Sequence, residues 1–138
     1  MLKDDNYRVQ AVFLTSTDFG TQRGPFVSTD AYRELFKPYH TRINKLIHQK
    51  STRKTFIHSC GSVYDLLPEF IEAGFDILNP VQCSAACMDA RTLKREFGQH
   101  LVFWGGGFVF DTVHNVQGPT PVANLLAMLK APKDASQS

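Results

Sequence analysis

The alternation of short apolar runs with helical patterns constrains the fold of this chain more than any other feature. Runs typical of strands occupy residues 9–14, 54–58, 76–78 and 101–104, and a fifth follows at 108–111. Between most of these runs, apolar residues recur at helical spacing. Strands that alternate with helices form βαβ units and a mainly parallel sheet, so the sequence predicts an α/β fold of about five strands.

The alternation breaks at Gly105, Gly106 and Gly107. Only these three residues separate the fourth strand run from the fifth. A parallel crossover needs a dozen or more residues and usually contains a helix. We therefore expect an irregular junction here: an antiparallel hairpin, one long strand, or a run that lies outside the sheet.

The longest helical pattern follows Ser28, which can cap the helix N-terminus with its hydroxyl. Pro38 lies inside this pattern, so we expect a kink at that point. The apolar residues at helical spacing are predicted to face the core. They are Tyr32, Leu35, Phe36, Tyr39, Ile43, Leu46 and Ile47.

Composition indicates one globular domain and excludes several classes of partner. The 138 residues carry a formal net charge of +2, too small an excess to predict binding to nucleic acid or to an anionic membrane. Three cysteines, an odd number, and a polar N-terminus unlike a signal peptide favour a cytoplasmic protein. We expect one domain over residues 1–131 and a disordered tail over 132–138.

His58 and Cys60 stand at the predicted end of the second strand. Residues two apart on a strand point to the same side, so the imidazole and the thiol can bind one soft metal ion such as Zn²⁺. Alternatively, they are a buried histidine and a structural thiol. Cys83 and Cys87, four residues apart, are better explained as small buried fillers than as metal ligands.

An ordered set of motifs across most of the chain resembles the uroporphyrinogen decarboxylase superfamily. The motifs cover residues 18–26, 32–39, 58–62, 72–82, 93–98, 103–106, 113–117, Pro121 and 124–128. The resemblance implies a (β/α)₈ TIM barrel, which needs about 250 residues. This chain resembles only its C-terminal part, and the glycine junction resembles an internal deletion, so we expect a partial barrel.

The His-x-Cys-Gly motif resembles the branch of this superfamily that contains corrinoid-linked methyltransferases. The resemblance implies a zinc site formed by His58, Cys60 and a third ligand, at whose position this chain has His114. It also implies that the zinc activates a thiol, which accepts a methyl group from a corrinoid, so a corrinoid protein is an expected partner. Where the branch has a cysteine as third ligand, this chain has a histidine.

Two alternatives remain open from the same resemblance. In the decarboxylase branch, a lyase acts on a tetrapyrrole, and His114 matches a histidine of that branch, but the N-terminal strand that carries its aspartate is missing here. In the third hypothesis, the chain is an inactive truncated barrel stabilised by self-association. An open barrel leaves strand edges and an apolar interior uncovered, so we expect a homodimer or a larger oligomer.

Further polar residues follow the predicted strands. Asp18 follows the first strand, where a barrel enzyme carries its chemistry; it is a candidate catalytic residue that could orient a ligand histidine, or a carboxylate that organises the loop. Four amides are expected at the same mouth, where they could bind the corrinoid or tetrapyrrole, unless they only reflect the polarity of loops. They are Asn79, Gln82, Asn115 and Gln117.

Overall fold

The structure, a computed structural model, describes residues 10–104 of the chain. Strands and helices alternate within this part. In chain order they are β1 Ala11–Thr15, α1 Thr29–Leu35, α2 Lys37–Lys50, β2 Lys54–His58, α3 Leu67–Glu72, β3 Ile77–Asn79, α4 Ala90–Phe97 and β4 Val102–Phe103. A 3₁₀ turn at Tyr64–Leu66 leads into α3.

The four described strands form one parallel sheet with the order β1-β2-β3-β4. The predicted α/β class with a parallel sheet is therefore confirmed for residues 10–104. Helical segments connect each strand to the next, as parallel pairing requires. Because such crossovers are right-handed and the strand order never reverses, all connecting helices are expected on one face of the sheet.

Burial and contacts agree with a single helix-covered face. Ile57 of β2 and Leu78 of β3 are fully buried and belong to the same core as Tyr32 of α1, Phe70 of α3 and Leu93 of α4. Ile57 and Leu78 are also register partners, so they point to the same side of the sheet. We call this side the covered face.

The opposite side of the sheet, which we call the open face, is more exposed. Phe13, Phe56, Ile77 and Val102 are successive register partners on it. The two outer residues, Phe13 and Val102, are 54% and 59% exposed. The open face therefore carries apolar side chains that none of the described helices covers.

The helix start predicted at Ser28 is confirmed by its capping hydrogen bond, and α4 begins in the same way. The Ser28 hydroxyl accepts a hydrogen bond from the Ala31 backbone amide at 3.1 Å, at the start of α1. The Asp89 carboxylate accepts one from the Thr92 amide at 2.9 Å, at the start of α4. In both cases a short polar side chain satisfies an amide that has no partner within the helix.

The prediction of one helix kinked at Pro38 is wrong, because this segment forms two separate helices. The chain makes two helices that meet at Phe36, which caps the end of α1 and the start of α2. Pro38 lies in the first turn of α2, where its missing N–H costs no helical hydrogen bond. The proline therefore begins a helix and does not bend one.

The predicted core face of this helical segment is also wrong in large part. Four of its apolar residues are between 43% and 66% exposed: Leu35, Tyr39, Ile43 and Leu46. His40 and Asn44 are buried instead. Each has a hydrogen-bond partner in the interior, which offsets the cost of burying a polar group. His40 Nδ1 lies 2.8 Å from the Tyr32 hydroxyl, and the Asn44 amide donates to the Ala73 carbonyl at 2.8 Å.

Within residues 10–104, no helix is both long and apolar enough to cross a lipid bilayer. Several predictions concern residues outside this described part. They are the glycine junction at 105–107, the fifth strand at 108–111 and the tail at 132–138.

Candidate metal centre

His58 and Cys60 meet at the carboxyl end of β2. His58 is the last residue of the strand, and Cys60 lies two residues further on. The Sγ atom of Cys60 is 3.6 Å from Nε2 of His58, so the proximity predicted from their spacing is observed. Both side chains are half-buried, which leaves them within reach of a ligand.

Asp18 reaches the same place from the loop after β1. Its Oδ1 atom accepts a hydrogen bond of 2.7 Å from the backbone amide of Cys60. One ligand atom from each of Asp18, His58 and Cys60 lies within 4.8 Å of the other two. The hydrogen bond to Cys60 agrees with the loop-organising role suggested for Asp18, and its carboxylate also lies beside the histidine and the thiol.

The electrostatic setting of Cys60 disfavours a free thiolate. Burial, together with the negative charge of Asp18, raises the pKa of the Cys60 thiol to about 11. A thiol in this state is a poor nucleophile at neutral pH. A bound cation reverses this preference, because a coordinating thiol loses its proton outright. This electrostatic setting therefore suits a cysteine that binds a metal better than a cysteine that acts as a nucleophile without one.

Asn79 is buried and in contact with His58. It ends β3, pairs in register with His58, and is only 4% exposed. Its Oδ1 atom lies 2.7 Å from His58 Nδ1, and its Nδ2 donates to the Trp104 carbonyl at 3.2 Å. The sequence predicted a binding role for Asn79 but gave no sign that its partner is the histidine.

The loops after β1 and β2 meet through two glycines. A Cβ atom on Gly20 would lie 2.5 Å from the carbonyl oxygen of Cys60, and one on Gly61 would lie 2.5 Å from the carbonyl carbon of Gly20. Gly61 also has φ of +80°, a conformation that side chains disfavour. The two backbones are thus close enough to hold Asp18 and Cys60 together.

The loop after β3 is attached to the same structure by hydrogen bonds. The Gln82 side chain accepts a hydrogen bond from the Gly61 amide at 2.9 Å, and the Ala86 amide donates to the Gln22 carbonyl at 3.0 Å. Gln82 therefore joins two loops beside the site. Cys83 and Cys87 lie in this loop and are exposed, so the prediction that they are buried fillers is wrong.

An aromatic row lies on the open face next to His58. The ring of Phe56 stacks on Trp104 with centroids 5.6 Å apart and meets Phe13 edge-on at 5.0 Å. Because Phe56 and His58 are two apart on β2, their side chains share the open face. Apolar surface therefore extends from the candidate centre along the sheet.

His114, Asn115 and Gln117 lie outside the described residues, so their distances from this centre stay predictions. Sequence reasoning missed Asp18 as a direct neighbour of the thiol. The only available signal was its position after a strand, since the carboxyl ends of parallel strands meet at one edge of a sheet.

Comparisons of the chain with protein-family models, with curated proteins and with solved structures find no match. Support for a function therefore comes from the geometry of the chain's own residues and from the resemblance of its motifs.

Proposed function

We propose that the chain binds a zinc ion through Asp18, His58 and Cys60 at the mouth of a partial TIM barrel. We further propose that this centre activates a thiol, which accepts a methyl group from a corrinoid. The observation that carries the metal-binding part is the meeting of a carboxylate, an imidazole and a thiol within 4.8 Å of one another. The methyl-transfer part is supported by the resemblance of the His-x-Cys-Gly motif.

The donor spacing supports zinc. With bonds of about 2.0–2.1 Å to nitrogen and about 2.3 Å to sulfur, tetrahedral zinc holds these two donors about 3.6 Å apart. His58 Nε2 and Cys60 Sγ are 3.6 Å apart. Three protein ligands leave the fourth tetrahedral position for a substrate, the arrangement that catalytic zinc sites share. Histidine, cysteine and carboxylate ligands are all usual for this ion.

The sheet topology supports the barrel part of the proposal. A doubly wound sheet reverses its strand order and so places helices on both faces. In residues 10–104 the order runs β1-β2-β3-β4, and the helices share one core with the covered face. A barrel is a sheet wound in this single direction, with its open face turned inward and its chemistry at the carboxyl ends of the strands.

Each residue of the centre has a distinct part in the proposed reaction. Zinc, when bound, lowers the pKa of a coordinated thiol so that the thiolate forms at neutral pH. The Nε2 atom of His58 and the Sγ atom of Cys60 would hold the ion, and the carboxylate of Asp18 would supply a third donor. A substrate thiol bound there would release its proton to solvent, and its sulfur would take the methyl group as the carbon–cobalt bond broke and left its electron pair on the corrinoid.

Metal binding is the first experiment. The purified chain is stripped with a chelator and titrated with Zn²⁺, and with Co²⁺ as a spectroscopic substitute whose visible absorption reports thiolate ligation. We expect one ion per chain, and His58→Ala or Cys60→Ser to abolish the cobalt–thiolate band. His100→Ala and Cys83→Ser are matched controls, because both residues are exposed and neither belongs to the centre. Absence of stoichiometric binding by the unmodified chain refutes the proposal.

The third ligand distinguishes two forms of the proposal. If Asp18 is the ligand, Asp18→Ala weakens metal binding and His114→Ala leaves it unchanged. If His114 is the ligand, as the family resemblance implies, His114→Ala weakens metal binding and Asp18→Ala leaves it unchanged. Methyl transfer is then measured with methylcobalamin and a small alkyl thiol, and we expect it to require His58. Zinc binding without any thioether formation would limit the protein to metal binding.

A second proposal, self-association, is favoured by the uncovered surfaces. Among the described strands, β1 and β4 each pair on one side only. The exposed residues Leu35, Tyr39, Ile43 and Leu46 form a stripe on α1 and α2. Lys37, on the other flank of α2, contacts Glu69 of α3, so the stripe lies on the flank away from α3. A second copy of the chain would cover this stripe.

Sedimentation velocity tests self-association. We expect a homodimer or larger oligomer at micromolar concentration, and Leu46→Glu to shift it towards the monomer. Gln49→Glu is the matched control, since Gln49 is exposed on α2 but outside the stripe. A well-folded wild-type monomer at these concentrations contradicts the proposal. The tetrapyrrole decarboxylase alternative depends on His114, which lies outside the described residues, and no contact within residues 10–104 favours it.

A further inference from the structure

The amide of Asn79 is held in one orientation by its two neighbours. Its two ends are chemically different: Nδ2 can only donate a hydrogen bond and Oδ1 can only accept one. The Trp104 carbonyl can only accept, and it lies 3.2 Å from Nδ2. The oxygen end must therefore face His58, where Oδ1 lies 2.7 Å from Nδ1.

This orientation decides which ring nitrogen of His58 carries the proton. An amide oxygen at 2.7 Å requires a donor opposite it, so Nδ1 is protonated. In the neutral imidazole the other nitrogen, Nε2, then carries the lone pair. That nitrogen is the one that lies 3.6 Å from Cys60 Sγ.

We propose that Asn79 is a positioning residue: it selects the Nδ1–H tautomer of His58 and so aims the Nε2 lone pair at the metal. The inference rests on the proposed zinc centre. Ligand histidines commonly donate their second N–H to a carboxylate or carbonyl group, and loss of that partner costs about 10–100-fold in metal affinity. Here the acceptor is the amide oxygen of Asn79, which reaches His58 because the two residues are register partners on neighbouring strands.

The alternative is that Asn79 only strengthens the sheet by its bond to Trp104. Two variants separate these roles. Asn79→Leu removes the side-chain hydrogen bonds to His58 and Trp104, whereas Asn79→Asp keeps an acceptor for His58 and loses the donor for Trp104. If positioning matters, Asn79→Leu weakens Zn²⁺ binding by about 10–100-fold and Asn79→Asp stays within a few-fold of wild type. Equal losses in both variants, in proportion to lost stability, overturn the inference.

Asn44→Leu is the matched control. Asn44 is also a buried asparagine whose amide donates to a backbone carbonyl, that of Ala73 at 2.8 Å, but it belongs to α2. We expect Asn44→Leu to lower the stability of the fold with unchanged metal affinity. Metal affinity that falls equally in Asn44→Leu and Asn79→Leu would show a general effect of destabilisation and would count against the inference.

The tautomer itself is measured in the metal-free protein. The ¹⁵N chemical shifts of the His58 ring, recorded in mildly alkaline buffer, distinguish a protonated from an unprotonated nitrogen. We expect a protonated Nδ1 in the wild type and a mixture of tautomers in Asn79→Leu. If the wild type binds no metal, the zinc proposal fails and this measurement still decides the role of Asn79. If Asn79→Leu keeps both the tautomer and the affinity, only the inference fails.

Discussion

The two faces of the sheet differ in what their side chains do. On the covered face, Ile57 and Leu78 are fully buried beneath the helices. On the open face, neighbouring positions of the same strands carry His58 and Asn79, together with aromatic rings that reach solvent at Phe13. Because strand residues alternate between faces, one short strand serves both purposes.

This difference shows how stability and chemistry are separated within a small sheet. The covered face removes apolar area from water and so contributes hydrophobic stabilisation to the fold. The open face retains half-buried polar donors that a metal ion can reach. Substitutions on the two faces should therefore have different consequences, and stability and metal-binding measurements can test the separation, beginning with the largest effect.

Removing one core side chain should give the largest loss of stability. Ile57→Ala leaves a cavity under the helices and should cost about 3–4 kcal/mol of unfolding free energy. Phe13→Ala, on the exposed edge of the open face, should cost less than about 1 kcal/mol in the monomer. Urea denaturation at low protein concentration measures both. Similar costs for the two variants would mean that the open face is buried in solution.

Gly20→Ala should damage the candidate centre and also cost stability. A methyl group here meets backbone atoms of Cys60 and Gly61 at 2.5 and 2.8 Å, so the loops must separate. We expect a loss of about 2–3 kcal/mol and weaker metal binding. Gly24→Ala is the control in the same loop, since its Cβ atom would meet nothing within 4 Å. Unchanged metal binding in Gly20→Ala would show that the loop contact does not position the ligands.

Glu69→Gln should destabilise the helix layer without affecting the open face. The buried carboxylate accepts hydrogen bonds from Arg33 at 2.7 Å and from Lys37 at 2.7 Å. We expect a loss of about 1–2 kcal/mol with unchanged metal affinity. Glu72→Gln, whose side chain is 66% exposed, should cost less than about 0.5 kcal/mol. A change in metal affinity in Glu69→Gln would break the proposed separation of the two faces.

The helix layer above the covered face should lose stability in acid. The contact with Arg33 holds the pKa of Glu69 below its usual range. Because the folded pKa is depressed, this stabilisation is complete above the unfolded pKa of about 4.3 and is lost as the pH falls below it. Urea midpoints measured between neutral and acidic pH should fall less steeply in Glu69→Gln than in wild type. Parallel slopes would contradict this assignment.

The open face should show a smaller effect of opposite direction. The pKa of Cys60 is raised by burial to about 11, above the unfolded value of about 8.5. The stabilisation is therefore complete below about pH 8.5 and is lost as the pH rises towards the folded pKa. Cys60→Ser should remove this alkaline decline in the metal-free protein. An unchanged decline would show that another group is responsible.

Much of the local structure of the described part could be predicted from the sequence. The capping residues Ser28 and Asp89 begin helices, and the apolar runs become parallel strands. The approach of His58 to Cys60 was also predictable, because it depends on a separation of two residues along the chain. These features depend on near neighbours, whose geometry the backbone fixes locally.

Which side of α2 is buried could not be predicted from periodicity. The apolar residues Tyr39 and Ile43 are exposed, while His40 and Asn44 are buried. The polar residues have hydrogen-bond partners in the interior, at Tyr32 and Ala73. A pattern of hydrophobic residues does not contain this information, because the partners lie on other parts of the chain.

The sequence alone determined the alternation of strands and helices and the local pair of an imidazole and a thiol. Only the tertiary structure decided that the Asp18 carboxylate and the Asn79 amide would join that pair. Asp18 is 42 residues from Cys60, and Asn79 is 21 residues from His58. Contacts over such separations exist because parallel pairing places the carboxyl ends of strands side by side, and this pairing is a property of the whole sheet.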